Sequence, residues 1–234
     1  MNKIVVIDPG HGGKDPGAVS NGINEKDIVL TISKYAKTEL ENNYEGVTVY
    51  MTRTTDVFVE LSDRAKFANN KKADLFVSNH VNAGGGTGFE SFVYTTINGG
   101  ATEDMRKAVH DSVFGVYKGF KDRGKKKANL AVVRETAMPA MLLEHLFIDT
   151  KGDADYLKSD ANLKAIAKAE AAGIAKALKL KAKTNNNTSA SSKPKDKEKS
   201  IYKVQTGAFG SKENADKLAA ELKKKGYKTF IVKE

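Results

Sequence analysis

Two histidines and two glutamates stand where they could bind a metal ion and move a proton. His11 follows the apolar run IVVI, His80 follows ADLFVS, and Glu144 lies within PAMLLEHLFI, while Glu25 opens a helical pattern. Because ligands gather at the carboxyl ends of strands in open α/β sheets, we expect these side chains to border one cleft. Two histidines and one carboxylate are a ligand set of catalytic zinc, which keeps a fourth position for water.

The residue types alone leave a structural role open for each side chain. His11 could shape a glycine-rich turn, and His80 could be a hydrogen-bonded histidine at a strand end. Glu25 could be a first-turn acid that the helix dipole favours. Glu144 is the hardest to explain by structure, because an unpaired carboxylate is costly to bury in an apolar strand. The four residues are dispersed and form no HExxH motif, so their spacing is weak evidence for zinc.

Other constellations that could carry chemistry are incomplete. The glycines at 10–17 are not followed by the Lys-Ser/Thr of a phosphate loop, and no G-x-S-x-G motif is present. His110 lies in the charged segment RKAVHDSV and is predicted to be at the surface of a helix. His145 follows Glu144, so the two face opposite sides of a regular strand and could not bind one metal ion together.

The elements that must position these residues alternate along the first 179 residues. Helical patterns with apolar residues on one face separate the apolar runs, and the last of them covers about 160–178. This alternation predicts an α/β domain with a mostly parallel twisted sheet flanked by helices. The predicted strands are 4–7, 47–50, 73–78, 89–94, 130–133 and 139–148.

Composition excludes several other functions. The chain has 234 residues and no cysteine, which removes disulfides, thiolate zinc sites and cysteine nucleophiles. It contains no run of 18 apolar residues, so we expect no membrane insertion. Its first residues lack the apolar stretch and cleavage site of a signal peptide, which predicts synthesis in the cytoplasm without a signal peptide.

The carboxyl-terminal part of the chain differs in composition from the rest. Residues 180–200 are rich in Asn, Ser, Thr, Lys and Pro, which predicts a flexible linker. Residues 201–234 predict a strand, a turn, a helix capped by Ser211 and a second strand, that is, a small basic βαβ module. Most of the net charge of +10 lies beyond residue 178, so this part either binds a polyanion or is a solvated lysine-rich surface.

The first 179 residues also contain segments that match a known family in the family's own order. This part resembles the zinc-dependent N-acetylmuramoyl-L-alanine amidases of the cell-wall-hydrolase (amidase_3) type, found in bacterial autolysins and phage endolysins. The resemblance predicts a zinc amidase catalytic domain over 1–179. The matching segments are IVVIDPGHGGKDPGA, GINEKD, MTRTTD, LSDRAKFAN, FVSNHVNA, GFESFVY, DRGKKKANLAVVRET and MPAMLLEHLFI.

The resemblance implies roles for the four residues singled out above. His11, Glu25 and His80 would bind one Zn²⁺ per catalytic domain. Glu144 would act as general base and acid while the amide bond between N-acetylmuramic acid and L-alanine of the peptidoglycan stem peptide is hydrolysed. Runner-up functions are another zinc peptidase or deacetylase on the same scaffold, and a noncatalytic wall-binding protein.

Three neighbouring residues carry further expectations. Asn82, two residues after a presumed zinc ligand, is a candidate for substrate binding. Asn79 and His145 replace the apolar or small residues usual in the family at these positions. Strand alternation predicts that both of them face away from the metal.

Residues 200–234 resemble one half of the sporulation-related (SPOR) repeat, which binds peptidoglycan glycan strands. The resemblance predicts a cell-wall-binding module over 201–234, with peptidoglycan as partner and no role for nucleic acid. One half repeat is too small to bury an adequate core, so two such modules are expected to pair in a homodimer, or the module to dock on the body. The protein would act on the cell wall after a holin-type membrane lesion or after lysis of the mother cell.

Overall fold

The computed structural model describes residues 2–183 and 210–225, together with Thr229 and Ile231. The chain divides into two compact units, Met1–Asn186 and Asn187–Glu234. None of the helices in the described part of the chain has the length and apolarity that a membrane crossing requires.

The first unit alternates strands and helices, as the sequence predicts. Its strands are β1 (Lys3–Pro9), β2 (Val19–Ser20), β3 (Ile23–Asn24), β4 (Val47–Met51), β5 (Leu75–Asn82), β6 (Phe89–Tyr94), β7 (Asp122–Ala128) and β8 (Ala140–Phe147). Its helices are α1 (Glu25–Asn43), α2 (Leu61–Asn70), α3 (Gly100–Phe114), α4 (Ala131–Arg134), α5 (Lys151–Leu157) and α6 (Asp160–Leu178). The second unit contributes α7 (Lys212–Lys224).

A six-stranded sheet in the order β4-β1-β5-β8-β6-β7 forms the centre of the first unit. The neighbours in β4-β1-β5-β8 are parallel, β6 runs antiparallel to β8, and β7 is parallel to β6. The prediction of a mostly parallel sheet flanked by helices is therefore confirmed. Because β6 and β7 are reversed, their amino ends lie at the same edge of the sheet as the carboxyl ends of β1, β5 and β8.

Helices cover both faces of this sheet, and strand alternation decides which side chains meet which layer. Val5 and Ile7 of β1 join the larger apolar cluster with residues of α1, α3 and α6. Val6 joins the smaller cluster with residues of α2 and α4. The central strands β5 and β8 are buried on both faces, which explains their nearly continuous apolar sequences.

The prediction of a strand at 130–133 is wrong, because Ala131–Arg134 forms the short helix α4. The strand lies just before it, in the segment DRGKKKA of β7. The sequence does not predict this strand, because the segment contains no apolar run. As the edge strand of the sheet it pairs on one side only, and charged side chains are common at such edges.

The prediction that His110 lies at the surface is also wrong, since this side chain is fully buried. His110 shares the inner face of α3 with Val109 and Val113, at helical spacing. Its Nδ1 lies 2.8 Å from Oγ of Ser91, and its Nε2 lies 3.1 Å from Oδ1 of Asp122. Burial lowers the pKa of His110.

A buried polar network occupies the face of the sheet opposite Glu144, and it contains both residues that depart from the family. His145 lies 2.8 Å from Tyr117 Oη and 2.9 Å from Oδ1 of Asn79, and burial lowers its pKa to about 3. Asn79 donates to Glu170 of α6 at 3.2 Å. Burial raises the pKa of Glu170 to about 8. Asn79 and His145 therefore face away from Glu144, as strand alternation predicts.

Glu170 should make stability depend on pH. In the unfolded chain this carboxyl ionises near 4.5, whereas in the folded protein it stays neutral up to about pH 8. The unfolded state thus holds fewer protons between these values, so its free energy falls relative to the folded state as pH rises. Glu170→Gln is expected to raise the free energy of unfolding by about 1–3 kcal/mol at pH 8 and by little at pH 4.

Urea unfolding of both proteins across this pH range checks the prediction. Glu45→Gln, which changes an exposed glutamate, serves as the control and should show no such trend. A Glu170→Gln protein whose stability difference from the parent is the same at pH 4 and pH 8 would contradict the assignment of a neutral buried carboxyl.

The body continues a few residues beyond the predicted boundary at 179. Ala182 forms an isolated antiparallel bridge with Tyr44, and the Lys183 amide donates to the carbonyl of Asn43 at 2.8 Å. In the second unit, Ser211 caps α7 as predicted, since its Oγ accepts from the amide of Asn214. The remainder of the predicted linker and the two predicted strands of the tail lie outside the described residues.

Candidate metal centre and catalytic carboxylate

His11 stands in the turn after β1 with a φ of 58°, in the left-handed region. Two buried arginines hold this turn. Arg53 donates to the carbonyl of Gly10 at 2.7 Å, and Arg64 donates to the carbonyl of His11 at 2.7 Å. Arg64 also pairs with the buried carboxylate of Asp8 at 2.8 Å. These charge-assisted bonds offset the cost of a backbone conformation that histidine rarely adopts.

Glu25 is the first residue of α1 and is almost completely buried. Its Oε2 accepts from the amide of Ala18 at 2.9 Å, and its Oε1 accepts from the amide of Val81 at 2.9 Å. The same Oε1 lies 3.1 Å from Nε2 of His11 and 3.0 Å from Nδ1 of His80. Burial acts to raise the pKa of Glu25, but the two histidines outweigh it and the pKa is lowered. The carboxylate is therefore ionised at neutral pH.

The structure thus brings His11, Glu25 and His80 together, with one donor atom of each within 4.8 Å of the others. His11 Nδ1 lies 2.8 Å from Oδ2 of Asp15, which leaves Nε2 directed toward the other two groups. Such an outer carboxylate is the usual partner of a metal-binding imidazole.

The donor set fits zinc in its chemistry, and the two separations measured from Glu25 are close to those of a zinc site. Two imidazole nitrogens and one carboxylate oxygen are ligands that zinc takes in catalytic sites. For bonds of about 2.1 Å in a tetrahedron, the ligand atoms would lie about 3.4 Å apart. The separations of 3.0 and 3.1 Å from Glu25 Oε1 need only a small adjustment to meet this value.

Two glycines make this close approach possible. A Cβ on Gly10 would overlap the ring of His80. A Cβ on Gly17 would lie 2.6 Å from Oε2 of Glu25 and 2.7 Å from Cδ2 of His11. Real Cβ atoms do not come this near to other groups, so any larger residue at these positions would displace a donor group.

Glu144 of β8 lies directly beside His80 of β5 and opposite Glu90 of β6. Its Oε2 is buried and has no hydrogen-bond partner among the described residues. Burial raises the pKa of Glu144 to about 7; nearby Glu25 and Glu90 act in the same direction, and His80 opposes them. A buried carboxyl without a partner costs stability, which is typical of a group kept for function.

Comparison with known proteins assigns the family. The sequence profile described as N-acetylmuramoyl-L-alanine amidase matches residues 5–176, and that described as SPOR domain matches residues 164–233. The sporulation-specific N-acetylmuramoyl-L-alanine amidase of Bacillus subtilis (strain 168) is 43% identical over 228 residues, which are 97% of this chain and 84% of that relative. This chain belongs to the N-acetylmuramoyl-L-alanine amidase family.

Other relatives of this amidase agree with the assignment. An endolysin of Bacillus phage SPP1 is 52% identical over 182 residues, which are 76% of this chain and 67% of the endolysin. The crystal structure of an N-acetylmuramoyl-L-alanine amidase from Clostridium difficile 630 has a TM-score of 0.72 and 33% identity, covering 76% of this chain and 97% of that one. The predicted family and fold are thus confirmed.

Asn82 of this amidase makes its contacts within the protein. Its Nδ2 donates to Oε1 of Glu90 at 2.6 Å, and its Oδ1 accepts from the amide of Ala83 at 2.9 Å. A role of Asn82 in substrate binding stays a prediction, as do the metal-binding roles of His11, Glu25 and His80 and the catalytic role of Glu144.

Several charged residues around the centre were not singled out from the sequence. Each stands in a segment that resembles the family, but the residue types alone do not show that the side chains are buried or paired at this site. The residues are Asp15, Arg53, Arg64, Glu90 and Arg123.

Proposed function

We propose that this amidase hydrolyses the bond between N-acetylmuramic acid and L-alanine of peptidoglycan, with a single zinc ion and Glu144 as the proton carrier. One observation carries the proposal: the three-residue donor set converges beside a buried carboxylate oxygen that has no hydrogen-bond partner in the described part of the chain. A structural role would leave this oxygen paired, because an unpaired buried acceptor lowers stability.

His11, Glu25 and His80 would hold the zinc ion. When bound, zinc supplies a positive charge that polarises the amide carbonyl and lowers the pKa of water toward about 7. Glu144 takes a proton from the attacking water and passes it to the nitrogen of the leaving L-alanine. Burial raises the pKa of this carboxyl above that of a free glutamate, which favours uptake of the proton from water before its release to the leaving nitrogen.

Mass spectrometry of peptidoglycan digested with and without a chelator tests this function. We expect stem peptides that begin with a free L-alanine amine, and glycan in which muramic acid keeps its lactyl and acetyl groups. Chelation should abolish these products, and added Zn²⁺ should restore them. Cleavage between stem-peptide residues would indicate a peptidase, loss of acetyl groups a deacetylase, and an unchanged wall with bound protein a noncatalytic binder.

The second unit is proposed to bind the cell wall. The match to the SPOR domain and the lysine-rich sequence support this role. We expect the full chain to sediment with purified peptidoglycan more completely than a chain ending at residue 186, at a salt concentration that screens nonspecific charge attraction. Equal sedimentation of the two proteins would contradict the proposal. Pairing of two modules predicts that only the full chain forms dimers in analytical ultracentrifugation.

The relatives' names, a sporulation-specific amidase and an endolysin, are consistent with action on the cell wall. Access through a holin-type lesion and access after mother-cell lysis both remain proposals. Expression with and without a pore-forming protein separates them, because only the first route requires the pore for lysis of the culture.

A further inference from the structure

A row of side-chain positions crosses the sheet at the edge that carries the metal centre. His80 of β5 pairs with Glu144 of β8, Glu144 pairs with Glu90 of β6, and Glu90 pairs with Gly124 of β7. The reversed direction of β6 and β7 brings their amino ends into this row. Arg123, next to Gly124, therefore lies two strands from Glu144, a distance of roughly 10 Å at the spacing of neighbouring strands.

Glu90 holds a pair of cations beside the catalytic carboxylate. Its side chain is only 4% exposed, and its Oε2 accepts from Nε of Arg123 at 3.0 Å and from Nζ of Lys126. Its Oε1 accepts from Asn82. One carboxylate thus faces two cationic side chains, so Glu90, Arg123 and Lys126 together carry a net positive charge.

Arg123 has unused hydrogen-bonding capacity. Its Nε is bound to Glu90, but neither terminal Nη has a partner among the described residues. The guanidinium carbon lies 4.7 Å from the centre of the Phe147 ring, and the side chain is 27% exposed. A planar guanidinium with two free Nη groups, bound to a carboxylate and next to an aromatic ring, is suited to a carboxylate in two-point contact.

We propose that Arg123, supported by Lys126, forms a subsite for a carboxylate of the stem peptide, on the leaving-group side of the scissile bond. This inference rests on the function proposed above. An extended peptide advances about 3.3–3.6 Å per residue, so roughly 10 Å corresponds to an acidic side chain or terminus within about three residues of L-alanine. The net positive charge of Glu90, Arg123 and Lys126 together attracts the carboxylate of the peptide. The two Nη groups of Arg123 orient it.

Two synthetic substrates test the subsite. Both are muramoyl peptides with the same residues, and they differ only in whether the acidic residue after L-alanine carries a free carboxylate or a carboxamide. The wild-type enzyme is expected to show a kcat/KM about 10–100-fold higher for the carboxylate, as a charge-assisted pair implies. Arg123→Gln should lose this preference, because it slows cleavage of the carboxylate substrate much more than cleavage of the carboxamide.

Two further variants separate binding from stability. Arg123→Lys keeps a cation beside Glu90 but lacks the two Nη groups, so its preference should be intermediate. Arg134→Gln is the matched control, because Arg134 is 38% exposed and pairs with Glu135, close to the amino end of β8; it should keep the full preference.

The comparison of the two substrates on the wild-type enzyme does not depend on any variant folding correctly. Equal kcat/KM values on the two substrates, or an unchanged preference in Arg123→Gln, would overturn the subsite while leaving the amidase function intact. Failure to cleave either substrate, in an enzyme loaded with zinc, would instead overturn the proposed function.

Discussion

Glu144→Gln is expected to lower kcat by about 10²–10⁴-fold while leaving the fold and zinc binding intact. Glutamine has almost the same shape as glutamate but cannot take a proton from water. Glu144 is not one of the three converging donors, so its replacement should not remove a metal ligand. Measurement of amine release from purified peptidoglycan, together with the zinc content of the protein, checks the prediction.

The same substitution should raise the stability of the protein, although it lowers the activity. The buried Oε2 of Glu144 has no hydrogen-bond partner among the described residues, and burial raises the pKa of this carboxyl from 4.5 to about 7. The unfolded chain therefore loses this proton at a lower pH than the folded chain does, and stability falls between these values. Metal-free Glu144→Gln should melt at a higher temperature than the metal-free parent at pH 8, and the difference should shrink toward pH 4.

Glu135→Gln, at an exposed glutamate, is a control for both measurements and should change neither. If Glu144→Gln retains more than a tenth of the parent's kcat with normal zinc content, Glu144 is not the proton carrier.

His80→Ala is expected to abolish both zinc binding and hydrolysis. His80 supplies one of the three donors that converge among the described residues, and its Nδ1 lies 3.0 Å from Glu25 Oε1. Loss of an outer-shell partner of a zinc ligand typically weakens metal affinity by about 10–100-fold, and loss of the ligand itself should cost more. Zinc titration with a competing chelator measures this effect directly.

Asp15→Asn is expected to weaken zinc binding less than His80→Ala does. Asp15 contacts Nδ1 of His11 and is not a member of the converging donor set, so its replacement should weaken zinc binding only by the amount typical of an outer partner. Activity of Asp15→Asn should recover when excess Zn²⁺ is added, whereas activity of His80→Ala should not. An equal zinc affinity in His80→Ala and the parent would exclude His80 from the metal centre.

Much of the fold could be predicted because local pattern and long-range packing agree. The apolar runs of β1, β5 and β8 are nearly continuous, and strands buried on both faces need such runs. The prediction of the last helix over about 160–178 is confirmed by α6, which begins at Asp160 after its N-cap Ser159.

The predictions are wrong where the residue types of a short segment do not show how that segment is packed in the folded protein. LAVV has the composition of a strand, yet most of it forms α4, which covers one face of the sheet. DRGKKKA has the composition of a loop, yet it pairs with β6 as the edge strand. His110 is flanked by charged residues, but helical spacing places it with Val109 on the buried face of α3.

By itself the sequence determined that His11, His80 and Glu144 each follow an apolar strand-like run, so a mostly parallel sheet is expected to bring them to one edge. The sequence also contains the segments that resemble the amidase family. Only the tertiary structure decided that β6 and β7 run in the opposite direction, which places Glu90 and Arg123 at that edge. Strand direction is set by packing between distant segments, and residue types within one strand do not encode it. The same holds for the buried pairing of Arg64 with Asp8, which depends on residues 56 positions apart.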